Sequence, residues 1–415
     1  MPQAILYQQR LKRVQDAVAL KEPDRIPCFP MTGTFPFLYA GYTMAEVMYD
    51  LDKAKSAIRK YMFDFEPDLV QSYRSAYCGL GPIMEKLGVK WLEWAGKPGT
   101  AIAETSIHQF LEEEYMKEDE YPELLSDFSG WMLQKWLPRS FRALEPLAGL
   151  DIGKLLGFGY GPGTMQFASE EVYQALATLH EVGQDYIDWN RKTASFEDEI
   201  IEAGFPLQSK TTVFTAFDLL SDTLRGTLGI LSDLYENPEQ LKAAVDMLCP
   251  RIIDNALLQS SKSKGTLVFI PLHKGMDRFM SEEHYRNFYW DTLLKLVNTL
   301  VERNLTPYIY TEGPYDSRVE CLMDVPKGKT IIHFEEADLV RAKQMLGQTA
   351  CLSGGVSSQV LVTGTPEQVS DAVKRNLDIL APGGGCIFDI SDTISECDPK
   401  NVESMFQTVR NYGKY

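Results

Sequence analysis

The sequence lacks the features that would direct it to a membrane or to nucleic acid. Across its 415 residues no apolar run is long enough to cross a bilayer, which takes roughly 20 residues in a helix. Its N-terminus lacks the basic-then-apolar pattern of a signal peptide. It has no Lys/Arg-rich segment, and its 58 acidic against 41 basic residues give a net charge of −17. Nucleic acid and anionic membrane surfaces are therefore excluded as main partners.

Cysteine is also sparse. The seven cysteines are odd in number and scattered, and no Cys-x-x-Cys pair occurs. This distribution favours reduced thiols over a disulfide framework. We therefore expect an intracellular, cytoplasmic protein, and its hydrophobic content of 44% is enough for a large core.

What the sequence does contain is an alternation of short β-rich runs with amphipathic helical runs. Five such strands are predicted in the C-terminal half, at 266–275, 305–313, 329–338, 349–358 and 383–392. Three more are predicted at "RIPCFPM" (25–31), "PDLVQSY" (67–73) and "LQSKTTVF" (207–214). Eight β-α units predict an α/β fold, a (β/α)8 TIM barrel formed as one domain by residues 1–415. A doubly wound open sheet stays open as an alternative, because sequence does not show closure.

Two regions fall outside the eight units. Residues 1 to about 24 read as a helical N-terminal extension, and about 88–202 as inserted segments. Within the insertion, 90–104 predicts a hairpin and 115–202 a helical block over one end of the barrel. The glycine-rich "GFGYGPGT" (157–164) follows no predicted strand, so it indicates a turn rather than a phosphate-binding loop.

Polar residues occupy the C-terminal ends of the predicted strands, where parallel barrels carry their chemistry. In chain order these are His273, Glu312, His333 with Glu335, Ser357, Asp389 and Asp392. Only five histidines occur in the chain, and two of them stand in this set. His273 is a candidate proton donor, because imidazole titrates near neutrality; the alternative is a histidine bonded to a neighbouring loop.

Glu312 and His333 lie on consecutive predicted strands with twenty residues between them. Neighbouring strands are about 4.8 Å apart, so both side chains can reach one metal ion through bonds of roughly 2.0–2.2 Å. Asp392 is a candidate third oxygen ligand. The alternatives are a Glu–His hydrogen bond without metal and, for Asp392, a loop aspartate.

Aromatic residues follow the first predicted strand in "MTGTFPFLYAGY" (31–42). Phe35, Phe37 and Tyr39 either line an aromatic pocket or pack in the core.

Several segments together resemble the uroporphyrinogen decarboxylase superfamily. They are "KEPDRIP", "DTLRGTLGILSDLYENPEQL", "FIPLHKGMDRFMSEEHYRNFYW", "EGPYDSRVECLMDVPKGK", "LGQTACLSGG" and "GTPEQV…GGGCIF", the last five in the C-terminal half. The resemblance implies a single (β/α)8 barrel with N-terminal helices and a site at its C-terminal face.

Two branches of that superfamily differ in chemistry. The decarboxylases carry an arginine-bearing "RQAGR" motif where this sequence reads "MTGTFPF", so porphyrinogen decarboxylation is disfavoured. The cobalamin-linked methyltransferases hold zinc through a His-x-Cys pair and a late Cys. Here the corresponding positions are Tyr310-Thr311-Glu312 and the neighbourhood of Asp392, which are oxygen-rich. The Glu-x20-His spacing is similar to that of methyltransferase I of aryl-ether O-demethylases, although the upstream Glu of their motif falls on Val297.

The resemblance therefore implies an O-demethylase methyltransferase. It would move a methyl group from a small methoxylated, aromatic substrate to the Co(I) corrinoid (cobalamin) of a carrier protein, with zinc as Lewis acid. The expected ligands are Glu312, His333 and Asp392, and His273 is the expected proton donor. Residues expected at the substrate are Phe35, Phe37, Tyr39, Tyr310 and Arg225.

Three alternatives stay open. One is a metal-free decarboxylase or lyase with Arg225 as its carboxylate clamp, and another is a methylcobamide-dependent methyltransferase acting on a thiol or other acceptor. The third is a non-catalytic corrinoid or tetrapyrrole binder, although the Asp-x-His-x-x-Gly motif of corrinoid carriers is missing. The resemblance also allows a homodimer.

Overall fold

Five of the described strands form a parallel sheet in chain order, as the alternation predicts. The computed structural model of the chain describes residues 2–71, 73–157 and 160–415. Its strands are β1 (Leu92–Glu93), β2 (Gln109–Phe110), β3 (Ser209–Thr212), β4 (Leu267–Leu272), β5 (Thr306–Pro314), β6 (Ile331–Glu336) and β7 (Cys351–Gly354). Strands β3 to β7 are hydrogen-bonded neighbours in that order and all pair in parallel. The predicted α/β class is confirmed.

The remaining predicted strands join this sheet through isolated contacts instead of ladders. Parallel bridges link Cys28 with Phe388, Val70 with Leu207, and Leu352 with Cys386. The backbone N–H of Asp68 donates to the Cys28 carbonyl at 2.9 Å, which connects the first two segments. The eight segments thus neighbour one another in chain order, and the last contacts the first, as in a (β/α)8 TIM barrel. The segments at 25–31 and 383–392, and the described part of 67–73, pair through isolated bridges and are not regular strands.

Helices cover the sheet. Those of eight residues or more are Gln3–Val18, Leu51–Phe65, Glu170–Glu202, Gly226–Glu236, Pro238–Lys262, Asp291–Glu302, Leu339–Leu346, Pro366–Leu380 and Pro399–Tyr412. Shorter α-helices are Phe35–Tyr39, Met44–Tyr49, Gly81–Leu87, Tyr121–Ser126, Phe128–Trp131, Leu137–Ser140, Tyr160–Thr164, Ala216–Leu220, Glu282–His284, Val319–Leu322 and Gln359–Thr363. Segments with π-helical turns are Met132–Trp136, Ser221–Arg225 and Tyr285–Trp290. Helices of the 3₁₀ type are Tyr73–Ala76, Glu118–Glu120, Arg142–Gly149, Ile152–Leu155, Met165–Phe167 and Asp316–Arg318.

Local sequence signals explain where these helices begin. Thr365 and Gln368 form a capping box in front of helix Pro366–Leu380, with proline at its first position. Ser169 accepts a hydrogen bond from the Val172 N–H and so caps the longest helix. Such side chains satisfy N–H groups that a helix leaves free at its start.

Apolar side chains fill both the inside of the barrel and the layer between strands and helices. Inside lie Tyr308 and Tyr310 of β5, with Ile331 of β6 and Cys351 of β7. Helix Gln3–Val18 buries Val14, Ala17 and Val18 in the same cluster, beside the first residues of β4 and β7. The N-terminal helix therefore closes the end of the barrel opposite the strand C-termini.

The inserted region combines a small antiparallel pair with helical segments. Strand β1 pairs with β2, so the chain returns at residues 109–110, beyond the predicted hairpin at 90–104. Short helical segments lie within 118–155 and within 160–167, before helix Glu170–Glu202. In the glycine-rich stretch 157–164, Tyr160–Thr164 is a short helix, while Phe158 and Gly159 lie outside the described residues. Within the described ranges, no helix is both long and apolar enough to cross a membrane.

Candidate active site at the barrel mouth

Two aspartates face the barrel mouth from the segment that follows β3. Thr215 caps helix Ala216–Leu220 by accepting from the Asp218 N–H at 3.0 Å. The helix then continues into the π-helical turn Ser221–Arg225. Asp218 and Asp222 are four residues apart, and this spacing puts both carboxylates on one face of the helical segment.

His273 is the first residue after β4. Asp222, on the helical face just described, holds its ring. Its Nδ1 lies 2.5 Å from Asp222 Oδ2. Its Nε2 lies 3.7 Å from Glu312 Oε1, at the end of the neighbouring strand. Asp222 therefore fixes one ring nitrogen, and the other faces the mouth. The His273 side chain is 26% exposed to solvent.

The surrounding carboxylates keep this imidazole charged. Burial lowers the pKa of His273, but the hydrogen bond to Asp222 and the negative charges of Glu312 and Asp218 outweigh it and raise that pKa to about 9. At neutral pH the ring is therefore an imidazolium with an N–H on both nitrogens. Such a group is a proton donor poised at the opening of the barrel.

Glu312 stands where the β5–β6 ladder is interrupted. The register shifts between Thr311 and Pro314, and Gly313 has φ +76°, a conformation that a side chain would strain. The Gly313 N–H donates to a Glu335 carboxylate oxygen. Burial raises the pKa of Glu312, the charge of Glu335 raises it further, and His273 only partly opposes them. Glu312 therefore takes up a proton more readily than an ordinary glutamate.

Lys274 completes the group from the next position of the chain. Its Nζ lies 2.9 and 3.1 Å from the two carboxylate oxygens of Glu112, and 3.5 Å from Asp222 Oδ1. Glu112 follows β2 in the inserted region, so the insertion contributes a residue at the mouth. The set Asp218, Asp222, His273, Lys274 and Glu312 is called the mouth cluster below.

His333 lies inside the barrel, below Glu312. In the β5–β6 pairing, His333 lies opposite Tyr310, which is two residues before Glu312. The His333 ring stacks on the Tyr310 ring with 3.9 Å between their centres. Its Nε2 donates to the Ser391 carbonyl at 2.9 Å, and its Nδ1 lies 3.5 Å from the Tyr308 hydroxyl. Burial lowers the pKa of His333 to about 4, so the ring is neutral.

The three predicted metal ligands are not brought together in this arrangement. His333 presents neither nitrogen to the mouth, and Asp392 accepts from the Ser358 hydroxyl at 2.8 Å. Across residues 2–71, 73–157 and 160–415, no three His, Cys, Asp or Glu side chains are grouped as a metal ion requires. The side chains as placed do not fit a zinc ion held by Glu312, His333 and Asp392.

The predicted aromatic residues pack away from the mouth cluster. Phe35 and Phe37 are buried in hydrophobic clusters, and Phe35 stacks on Tyr39 with 5.5 Å between ring centres. The Tyr39 hydroxyl donates to Asp64 at 2.8 Å. Tyr310 is buried inside the barrel and donates to the Asp392 carbonyl at 2.8 Å. Of the predicted substrate aromatics, only Tyr310 lies on a strand that reaches the mouth.

Arg225, the predicted carboxylate clamp, is committed to a buried ion-pair network. Its Nε and Nη2 lie 2.6 and 3.1 Å from the carboxylate of Asp233. Its Nη1 donates to Glu114 at 2.5 Å and to the Met116 carbonyl at 2.6 Å. With the side chain only 2% exposed, its hydrogen-bonding capacity is used within the protein.

Replacing Asp222 tests the electrostatics of the mouth. Asp222→Asn removes both the charge and the strongest partner of His273 Nδ1, so we expect the pKa of His273 to fall from about 9 toward the ordinary histidine range. NMR titration of the His273 ring, assigned with a His273→Gln spectrum, measures it. Asp316→Asn, in the 3₁₀ helix Asp316–Arg318 outside the mouth cluster, is the charge-matched control. An unchanged pKa in Asp222→Asn would contradict this account.

Comparisons with known proteins agree with the architecture. Residues 211–412 match the model of the uroporphyrinogen decarboxylase (URO-D) family, a range that contains β4 to β7 and the whole mouth cluster. A solved structure of a methyltransferase from Methanosarcina mazei superposes with a TM-score of 0.61 at 13% identity, covering 97% of this chain and 98% of that chain. No curated protein sequence matches significantly. Residues 211–412 are therefore similar to the uroporphyrinogen decarboxylase family, and the superposition extends the likeness in fold to the N-terminal half.

Proposed function

We propose that this protein is a methyltransferase that demethylates a methoxylated aromatic substrate and passes the methyl group to the Co(I) corrinoid of a partner carrier protein. The observation that carries the proposal is the imidazolium of His273, held by Asp222 with Nε2 facing the mouth. The family match and the fold of the methyltransferase from M. mazei support an enzyme of this superfamily.

The residues of the mouth cluster account for the proton that the reaction needs. When the bond between the ether oxygen and the methyl carbon breaks, both bonding electrons stay on the oxygen, which becomes a phenolate. The corrinoid, when bound, supplies the nucleophile that takes the methyl group. His273 donates its Nε2 proton to the phenolate, and the product leaves as a phenol. Glu312, 3.7 Å from Nε2, is placed to return a proton to His273 for the next turnover.

The openness of the mouth suits a reagent carried by another protein. Glu312 retains 43% and His273 26% of their side-chain exposure, so both reach solvent at the strand ends. A corrinoid bound to a carrier can therefore approach the substrate from outside. Zinc would supply Lewis acidity, but the predicted ligands as placed do not fit it, and the roles given to His273, Asp222 and Glu312 do not depend on it.

The charges of the site disfavour the decarboxylation of a polycarboxylate. Both cations of the mouth cluster already have carboxylate partners: Lys274 is paired with Glu112 and His273 with Asp222. Arg225 is held by Asp233 and Glu114. The carboxylates of the mouth cluster would repel a substrate with several negative charges.

An anaerobic turnover assay tests the proposal. The protein is incubated with cob(I)alamin or a reduced corrinoid carrier protein and a panel of methoxyarenes, and released phenol is measured by chromatography. We expect phenol to form only when both the protein and the reduced corrinoid are present. Its absence across the panel would contradict the proposal. Corrinoid-independent CO2 release from carboxylated substrates would favour a decarboxylase, and methylation of a thiol by methylcobalamin would favour the thiol-acceptor alternative.

A further inference from the structure

Asp218 is a buried carboxylate for which the proposed proton transfer has no direct use. It has no exposed surface. Its Oδ1 accepts from the Lys274 backbone N–H at 2.9 Å, and its Oδ2 accepts from the His273 backbone N–H at 3.2 Å. The Tyr289 hydroxyl also donates to Oδ2, at 2.5 Å. One carboxylate thus receives three hydrogen bonds.

Two of those bonds hold the backbone from which the His273 side chain projects. The β4–β5 ladder ends at the pair Leu272 and Thr311, so the N–H groups of His273 and Lys274 have no strand partner. A buried N–H without an acceptor is strongly unfavourable. Asp218 satisfies both donors and so fixes the turn at the end of β4. Asp222, one helical turn further on, fixes the ring of the same histidine.

Tyr289 supports Asp218 from the other side. It lies in the π-helical segment Tyr285–Trp290, and its ring is fully buried against Phe217, the residue before Asp218. Burial raises the pKa of Asp218 to about 6, whereas the hydrogen bond from Tyr289 and the charge of His273 act in the opposite direction. The hydroxyl therefore helps to keep Asp218 an anion, which is the form that accepts from both backbone donors.

We propose that Asp218 and Tyr289 form a positioning pair that sets the direction from which His273 presents Nε2 at the barrel mouth. Neither residue is assigned contact with the substrate. The reaction that the pair serves rests on the proposed function, but its effect on His273 does not.

The chain offers a matched control for the tyrosine. The Tyr121 hydroxyl donates to the buried Asp233 at 2.7 Å, so Tyr121→Phe also removes a buried tyrosine–aspartate hydrogen bond. That pair contacts Arg225 instead of His273. The two phenylalanine variants thus remove the same chemical group, one from beside the mouth cluster and one away from it.

The test compares Tyr289→Phe, Asp218→Asn and Tyr121→Phe by two measurements. The first is NMR titration of His273, for which we expect a lower pKa in Tyr289→Phe and Asp218→Asn and an unchanged value in Tyr121→Phe. The second is the kcat and KM of demethylation. We expect kcat to fall roughly tenfold with KM nearly unchanged in the first two variants, less than the ~10²–10⁴-fold that proton transfer itself contributes.

The positioning pair is refuted if the His273 titration is the same in all three variants, or if Tyr121→Phe and Tyr289→Phe lower kcat equally. Circular dichroism checks that each variant is folded; should Asp218→Asn unfold, Tyr289→Phe decides the question, because it removes a single oxygen. If wild-type protein demethylates nothing, the proposed function fails, whereas the titration still decides whether the pair acts on His273.

Discussion

Replacing His273 with glutamine is expected to lower the rate of demethylation by about 10²–10⁴-fold, the range that a positioned general acid contributes. Glutamine preserves much of the volume and can donate a hydrogen bond, but it does not give up a proton to a phenolate. The measurement is kcat for phenol release at pH 7. We expect KM to change little, because the proton is needed only as the C–O bond breaks.

His284→Gln is the matched control for this variant. His284 packs its ring on Tyr235 with 5.0 Å between ring centres, on a helix outside the mouth cluster. Its replacement is expected to leave kcat unchanged. A His273→Gln protein as fast as wild type, or a His284→Gln protein as slow as His273→Gln, would remove His273 from the reaction.

The pH dependence of the wild-type rate provides an independent check on the same residue. The pKa of His273 is raised to about 9, so the reactive imidazolium persists at neutral pH and disappears as the pH rises through about 9. The rate should fall over that interval. The same sign holds for stability: the favourable interaction of His273⁺ with its carboxylates is complete below the unfolded pKa near 6.5 and is lost as pH rises through the folded value. A rate that rises through pH 9 would contradict this assignment.

The sequence predicts well what depends on periodicity along the chain. The alternation of β-rich and amphipathic runs located β3 to β7. The rule that barrel chemistry lies at strand C-termini led to His273 and Glu312, which the structure places 3.7 Å apart. The strand positions could be predicted because a strand end is a local property that follows from where the apolar run stops, whereas the roles of His273 and Glu312 stay predictions.

Properties that depend on register were harder to predict. The spacing between Glu312 and His333 indicates neighbouring strands but does not say which layer of the barrel each side chain occupies. Pairing opposite Tyr310 puts His333 one layer down, where the Ser391 carbonyl binds it. A single residue of register changes the face that a side chain occupies, and no local pattern in this sequence encodes that choice.

Other site residues were missed because they do not lie at a strand end. Asp218 and Asp222 come one and two helical turns after the third strand, and their four-residue spacing in "FDLLSD" was the signal available in the sequence. Glu112 reaches Lys274 from an inserted hairpin, and no barrel periodicity extends to an insertion. For Phe35 and Phe37 the sequence allowed either an aromatic pocket or packing in the core. In the structure both side chains pack in hydrophobic clusters.

At the end of the barrel opposite the mouth, the buried carboxylate of Asp68 joins the segments 25–31 and 67–73, whose described residues have no regular strand pairing. Asp68 has no exposed surface and accepts from Arg13 at 2.5 Å, from Arg25 at 2.7 and 2.8 Å, and from the Cys28 backbone N–H at 2.8 Å. Arg13 comes from the N-terminal helix that closes the barrel. Asp68 thus ties that helix to the first and second segments of the ring, which otherwise share isolated contacts.

Asp68→Ala is therefore expected to lower the free energy of unfolding by about 3–5 kcal/mol, the usual effect of removing one partner from a buried charge network. The loss arises because the guanidinium groups of Arg13 and Arg25 stay largely buried, with 9% and 18% of their side chains exposed. Urea unfolding followed by circular dichroism measures the change. Asp24→Ala is the control: Asp24 pairs with the same Arg13 but is 68% exposed, so we expect a loss below about 1 kcal/mol. Equal losses in the two variants would show that burial of the charge does not decide its contribution here.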